Sequence, residues 1–137
     1  MYKIKKTYEA NIVIQMHKET FPNDEFDYTV DTEAWLVFDE NNKPVGFCTI
    51  RPVKTDKDTV FLSRAGLLFS ARGKGLHKRM ITVRLNWARK YGFKMCITYT
   101  TRDNFTSFHN LQKAGFLLYY PDSLYAGKDC LYWMKEL

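Results

Sequence analysis

The chain reads as a single α/β domain in which a mixed, mostly antiparallel central sheet is flanked by helices. Three observations lead there. Apolar runs of strand length alternate with segments of helical period, and Gly, Pro, Asn and Asp cluster between them as turns. One segment, Phe61 to Tyr91, passes from a strand through a glycine-bearing loop into an amphipathic helix with no linker. At 137 residues, 45% hydrophobic and 16% aromatic, the chain has the apolar mass for one core despite a formal charge of +6.

Each element follows from local pattern. Tyr2 to Ile4 opens a strand, and Ala10, Ile12, Val13, Met16 and Phe21 then mark a first helix that Pro22-Asn23-Asp24 stops. Ala34 to Asp39 and Val45 to Arg51 form an antiparallel hairpin across the turn Glu40 to Pro44. After a charged loop at Lys54 to Asp58 comes the long strand Val60 to Phe69. The helix from Leu76 to Tyr91 has Leu76, Met80, Val83, Trp87 and Tyr91 as its expected buried stripe, and Gly92 ends it. Phe93 to Thr100 is a further strand, and Asp103-Asn104 begins a short helix closed by Ala114-Gly115. Phe116–Tyr120 and Cys130–Lys135 are the last two strands. No internal repeat or linker divides the chain, so one domain spanning residues 1–137 is expected.

Charge is distributed unevenly. Glu19 to Asn42 holds eight acids and no lysine or arginine, whereas Lys43 to Arg102 holds fourteen basic residues against Asp56 and Asp58. An anionic ligand therefore belongs to the basic half, and the acidic segment is suited to drawing a cationic group. The plainer reading is two solvated faces with chance clustering. Cys48, Cys96 and Cys130 are odd in number and lie in apolar segments, as small buried thiols of a reducing compartment do. With His17, His77 and His109 they offer no metal-ligand spacing, so no metal is expected. No apolar stretch approaches the roughly 18 residues of a membrane span, and the N-terminus shows no signal-peptide core. A cytoplasmic protein that does not enter a membrane is the expectation.

The junction Arg72-Gly73-Lys74-Gly75-Leu76-His77 presents helix N-terminal amides and the positive end of a helix dipole, an arrangement suited to phosphate. An ordinary strand-to-helix turn is the alternative. The P-loop pattern G-x-x-x-x-G-K-[ST] is absent, and Lys78 stands where a dinucleotide fingerprint needs its third glycine. The junction instead resembles the acetyl-CoA loop of the GCN5-related N-acetyltransferase (GNAT) superfamily, [QR]-x-x-G-x-[GA], matching at Arg72 and Gly75 and departing at His77. Leu67 is similar to the branched residue that closes the family's fourth strand. Asn104, with Gly115-Phe116 eleven and twelve residues later, is similar to its second landmark.

The resemblance implies a GNAT-like fold with splayed fourth and fifth strands and an N-acetyltransferase taking acetyl from acetyl-CoA to a primary amine. It implies a pyrophosphate cradle at Arg72, Gly73, Lys74, Gly75, Leu76 and His77, a pantetheine arm along Ala65 and Leu67, and cofactor contact at Asn104. Gly66 is a candidate bulge or close-approach residue. His77 either points aside or adds a donor to a phosphate.

Catalytic groups are less evident. Many relatives protonate the departing thiolate with a tyrosine that here is Leu111, whereas others have a serine three residues after the asparagine, which here is Ser107. Its hydroxyl suits either that role or a bond within the first helical turn. The carboxylates of relatives fall at Phe61 and Tyr99. Tyr99 suits a hydrogen bond to water or amine, or simple packing, and with an ordinary pKa near 10 it is a poor unaided base. Glu33 and Asp103 are unplaced carboxylates, and His109 reads as an ordinary helix residue. The base stays unassigned, with proton removal through water. Two other readings stand beside this one: a nucleic-acid-binding module or RNA-linked amine acetyltransferase, from the basic and aromatic content, and a non-catalytic acyl-CoA-binding fold, from Leu111 and the missing base.

Overall fold

A computed structural model describes all 137 residues. In chain order these form β1 (Lys3–Thr7), α1 (Ala10–Thr20), β2 (Glu33–Phe38), β3 (Pro44–Val53), β4 (Asp56–Leu67), α2 (Leu76–Lys90), β5 (Met95–Thr100), α3 (Phe105–Lys113), β6 (Leu117–Tyr119) and β7 (Leu131–Glu136). The order of helices and strands is the expected one. The boundaries of β4 differ: a tight turn at Lys54-Thr55 lets pairing resume at Asp56, and the chain bends after Leu67 into a short 3-10 turn at Phe69–Ala71 that leaves Phe69 exposed. No helix is long and apolar enough to cross a membrane.

The seven strands form one sheet in the order β1-β2-β3-β4-β5-β7-β6. Every pairing is antiparallel except β4 with β5. Alternation of side chains across the strands creates two cores. On one face, Ala34, Leu36 and Phe47 pack against Val13 and Met16 of α1. On the other, Val37, Cys48, Ile50, Val60 and Leu62 pack against α2. Each large apolar side chain so buried contributes about 1.5–3 kcal/mol.

The buried face of α2 is Leu76, Met80, Ile81, Arg84, Leu85 and Ala88. Val83 and Trp87 are only partly buried, and Tyr91 is exposed. The expected stripe is therefore rotated. Trp87 stacks on Phe93 and stands edge-on to Trp35 at the rim of the sheet, so the aromatics close the core from the side and leave its centre to smaller residues. Arg84, at the middle of the true stripe, is a charge that an apolar pattern hides.

Candidate active site

The central feature is an opening in the sheet. Strand β4 pairs with β5 only through Thr59, Val60 and Phe61, opposite Met95, Cys96 and Ile97, after which the strands part. On the other side of β4, Cys48 and Ile50 of β3 lie opposite Ala65 and Leu62, so Thr49 alone opposes Ser63 and Arg64. That extra residue is a β-bulge, and it bends β4 away from β5. Thr49 Oγ1 holds the bulge through the Ser63 hydroxyl at 2.6 Å and the Arg64 amide at 3.0 Å. Gly66 is not the bulge but a close-approach residue: a Cβ there would stand 2.7 Å from Thr20 Oγ1 and 2.9 Å from the rings of Phe21 and Phe47.

Between the parted strands lies a slot of about 260 Å³. It pierces the sheet, with Phe21, Asp24 and Arg64 at its mouth on the α1 face and His77, Ile81, Arg84, Asn104 and Ser107 on the helix-α2 face. Ala65 and Tyr99 line its two strand edges, whereas Leu67 is buried in the core. Asp24, the one carboxylate among the lining residues, is tied to Arg64 at 3.2 Å.

Outside the slot, the loop from Arg72 to Gly75 turns into α2. Gly73 and Gly75 take φ of +73° and +75°, the left-handed region, and nothing lies within 4 Å of where a side chain would start. The requirement for glycine is thus conformational, and the space before the loop is open. Gly75 caps α2, whose first turn contains no acid, and its carbonyl accepts from Arg79 N–H at 3.4 Å. The amides preceding Arg79 remain outside the helical ladder. Arg72 Nε folds back onto the Leu67 carbonyl at 3.2 Å, fastening the loop to the end of β4. His77 is half-buried in the slot wall, where burial first, then the guanidinium groups of Arg84 and Arg72, lower its pKa from the ordinary 6.5.

On the facing wall, Asn104 caps α3 by accepting the Ser107 amide at 3.2 Å. Ser107 borders the slot, and the position of the missing tyrosine is filled by buried Leu111. Tyr99 stacks on Phe61 with centroids 6.1 Å apart, and Tyr125 meets both rings edge-on. Glu33 is bound to Lys6 at 2.8 Å on a different part of the sheet, and His109 and Asp103 are exposed beside α3. The structure brings Ala65, His77, Tyr99, Asn104 and Ser107 together and leaves Glu33 and His109 outside.

Beyond the Phe61–Tyr99 pair, on the α1 face, a wider cleft of about 730 Å³ opens. Asp27, Asp31, Asp56 and Asp122 border it with Arg51, Lys54, Phe61, Tyr119 and Tyr125. The loop between β6 and β7 is held there by Tyr125, whose hydroxyl donates to the Thr98 carbonyl at 3.1 Å and lies 2.8 Å from that of Tyr119. Burial, and the bond to Tyr119, raise the Tyr125 pKa. Sequence reasoning missed Arg84, and the signal was a lone charge at i+7 from His77 on the inward face of α2.

The acetyltransferase (GNAT) family model matches residues 4–116. No curated protein matches the chain by sequence. Among solved structures, the chain is similar to an IAA acetyltransferase from Bacillus cereus ATCC 14579, with 14% identity, TM-score 0.81 and all of both chains covered. It is also similar to a Bacillus subtilis acetyltransferase in complex with CoA, with 15% identity, TM-score 0.80, and 100% and 99% of the chains covered. A GNAT family acetyltransferase from Elizabethkingia anophelis with acetyl-CoA bound has 18% identity and TM-score 0.79, with 99% and 98% covered. These likenesses show a shared fold.

Proposed function

Because the chain belongs to the acetyltransferase (GNAT) family, we propose that it is an acyl-CoA N-acyltransferase domain, moving acetyl from acetyl-CoA to a primary amine of a small molecule or peptide. The observation that carries this reading is the slot: it runs through the sheet from the open, acid-free N-terminus of α2 toward a separate cleft bordered by four aspartates. The acid-free helix start and the cleft, where four aspartates outnumber Arg51 and Lys54, thus differ in charge as an anionic donor and a cationic acceptor require. The CoA and acetyl-CoA held by two of the similar structures support the donor assignment.

In this reading Gly73 to His77 present amides to the pyrophosphate, Arg72 and Lys74 add charge, and the pantetheine arm enters past Ala65 and Leu67. Asn104 holds the first turn of α3 so that Ser107 faces the sulfur and donates its proton to the thiolate as it leaves. Tyr99 orients the amine or its water at the acceptor mouth. The amine attacks directly, and its proton passes to water because no unpaired carboxylate lines the slot. Calorimetry with acetyl-CoA, then release of free thiol across an amine panel, tests the proposal. Absence of acetyl-CoA binding at millimolar concentration sinks it, and binding without turnover on any amine supports a binding fold in its place.

A further inference from the structure

Arg84 is the side chain of the slot that packing does not explain. It is 3% exposed, and its bonds run from Nε to the Met80 carbonyl at 3.0 Å and from Nη1 to the Thr49 carbonyl at 3.1 Å. Both acceptors are neutral. The structure's ion pairs use the N-terminus, Lys6, Arg51 and Arg64, so Arg84 has no carboxylate partner. Nη2 donates to no protein group, yet the one sealed and unpartnered side-chain polar atom is His17 Nε2. Nη2 therefore keeps an opening, and the space that Arg84 borders is the slot. A buried guanidinium without an anion is expensive unless something supplies the missing charge.

Resting on the acyl-transfer reading above, we infer that Arg84 is a further catalytic residue, whose Nη2 stabilises the oxyanion that forms on the thioester carbonyl during attack. As the amine nitrogen bonds to the carbonyl carbon, the C=O π pair moves onto oxygen. When that pair returns, the C–S bond breaks, the sulfur leaves with its electrons and takes the Ser107 proton, and the nitrogen's extra proton goes to water. Water then restores Ser107. The negative oxygen exists only between those events, and a buried charge fixed beforehand at the slot wall favours it over the neutral ground state. The fixation is visible: Arg84 is anchored to Thr49, the residue that also holds the Ser63–Arg64 bulge and so opens the slot.

The experiment compares full-length wild type with Arg84→Met, Arg84→Lys and Arg84→Ala. Arg84→Met is expected to lower kcat about 100-fold while the acetyl-CoA Kd stays within about threefold, with Arg84→Lys in between. Added guanidinium ion, but not urea, is expected to restore part of the Arg84→Ala rate, which a purely structural role would not allow. A kcat for Arg84→Met within about threefold of wild type overturns the inference, as does loss of kcat in step with loss of acetyl-CoA affinity. Wild type alone provides a second arm that needs no variant to fold. S-carboxymethyl-CoA is expected to bind at least about tenfold more tightly than its neutral carbamoylmethyl counterpart, and equal affinity overturns the inference. Turnover that does not depend on Arg84 leaves acyl transfer standing, whereas failure of acetyl-CoA to bind removes both.

Discussion

Thr98 Oγ1 donates to the Leu62 carbonyl at 2.8 Å, at the point where β4 and β5 stop pairing. One side-chain bond there continues the contact between the two strands past the end of their main-chain ladder at Phe61 and Ile97. The Thr98 carbonyl, in turn, accepts from Tyr125 of the loop over the acidic cleft. Both cavities are therefore referenced to one residue of β5.

Thr98→Val preserves shape and removes that donor from a buried carbonyl. A loss of about 1–3 kcal/mol in stability is expected, read as a fall in Tm, together with weaker acetyl-CoA binding by calorimetry. An unchanged Kd would separate the vertex from the binding site.

Replacing Gly73 and Gly75 together with valine puts β-branched residues at φ near +75°. Left-handed backbone costs an L-residue about 1–2 kcal/mol each, and 1.4 kcal/mol is tenfold in affinity. The loop is expected to leave its shape, since space is free around it, and CoA affinity to fall at least about tenfold. Retained affinity would show that the cradle lies elsewhere.

Ser107→Ala keeps the cap, because Asn104 accepts from the Ser107 main-chain amide. Tm is expected to hold while kcat falls by about 100-fold, the lower end for a general acid. A kcat equal to that of wild type would remove Ser107 from the proton path.

Asp122 lies exposed on the acidic cleft and makes no ion pair, unlike Asp27, which binds Arg51 at 2.7 Å. Asp122→Asn is expected to raise KM for a cationic amine several-fold at low salt, with kcat kept and the effect shrinking as salt rises. KM indifferent to both charge and salt would place the acceptor elsewhere.

His17 is buried against Phe21, Phe26 and Phe47, stacked on Phe26 at 4.2 Å, with Nε2 unpartnered. Burial, then the Arg64 charge, lower its pKa below the ordinary 6.5, and Asp24 opposes them more weakly. The unfolded chain then takes up the proton first, so this contribution to stability is present above pH 6.5 and lost as pH falls below it. His77, lowered as well, adds a slope of the same sign. Melting curves at falling pH should show Tm declining, and His17→Leu should flatten part of that decline. An identical slope in the variant would exclude His17 as a source.

The sequence by itself determined the element order, the glycine loop at a helix start, the Asn104 cap and the separation of acidic from basic segments. These are legible because local pattern and short spacing decide them: a positive φ asks for glycine, and a helix start asks for a capping side chain. Only the tertiary structure decided the rest. The bulge fell at Ser63–Arg64 and not at Gly66 because register depends on Thr49, fourteen residues before Ser63. The buried face of α2 followed what packs around it: Trp87 went to the aromatic rim with Phe93 and Trp35, and Arg84 was enclosed in the stripe. Whether a charge stands in water or faces a slot is a matter of what packs around it, and residues from β3, β4, β5 and α3 meet Arg84 only after the sheet has parted.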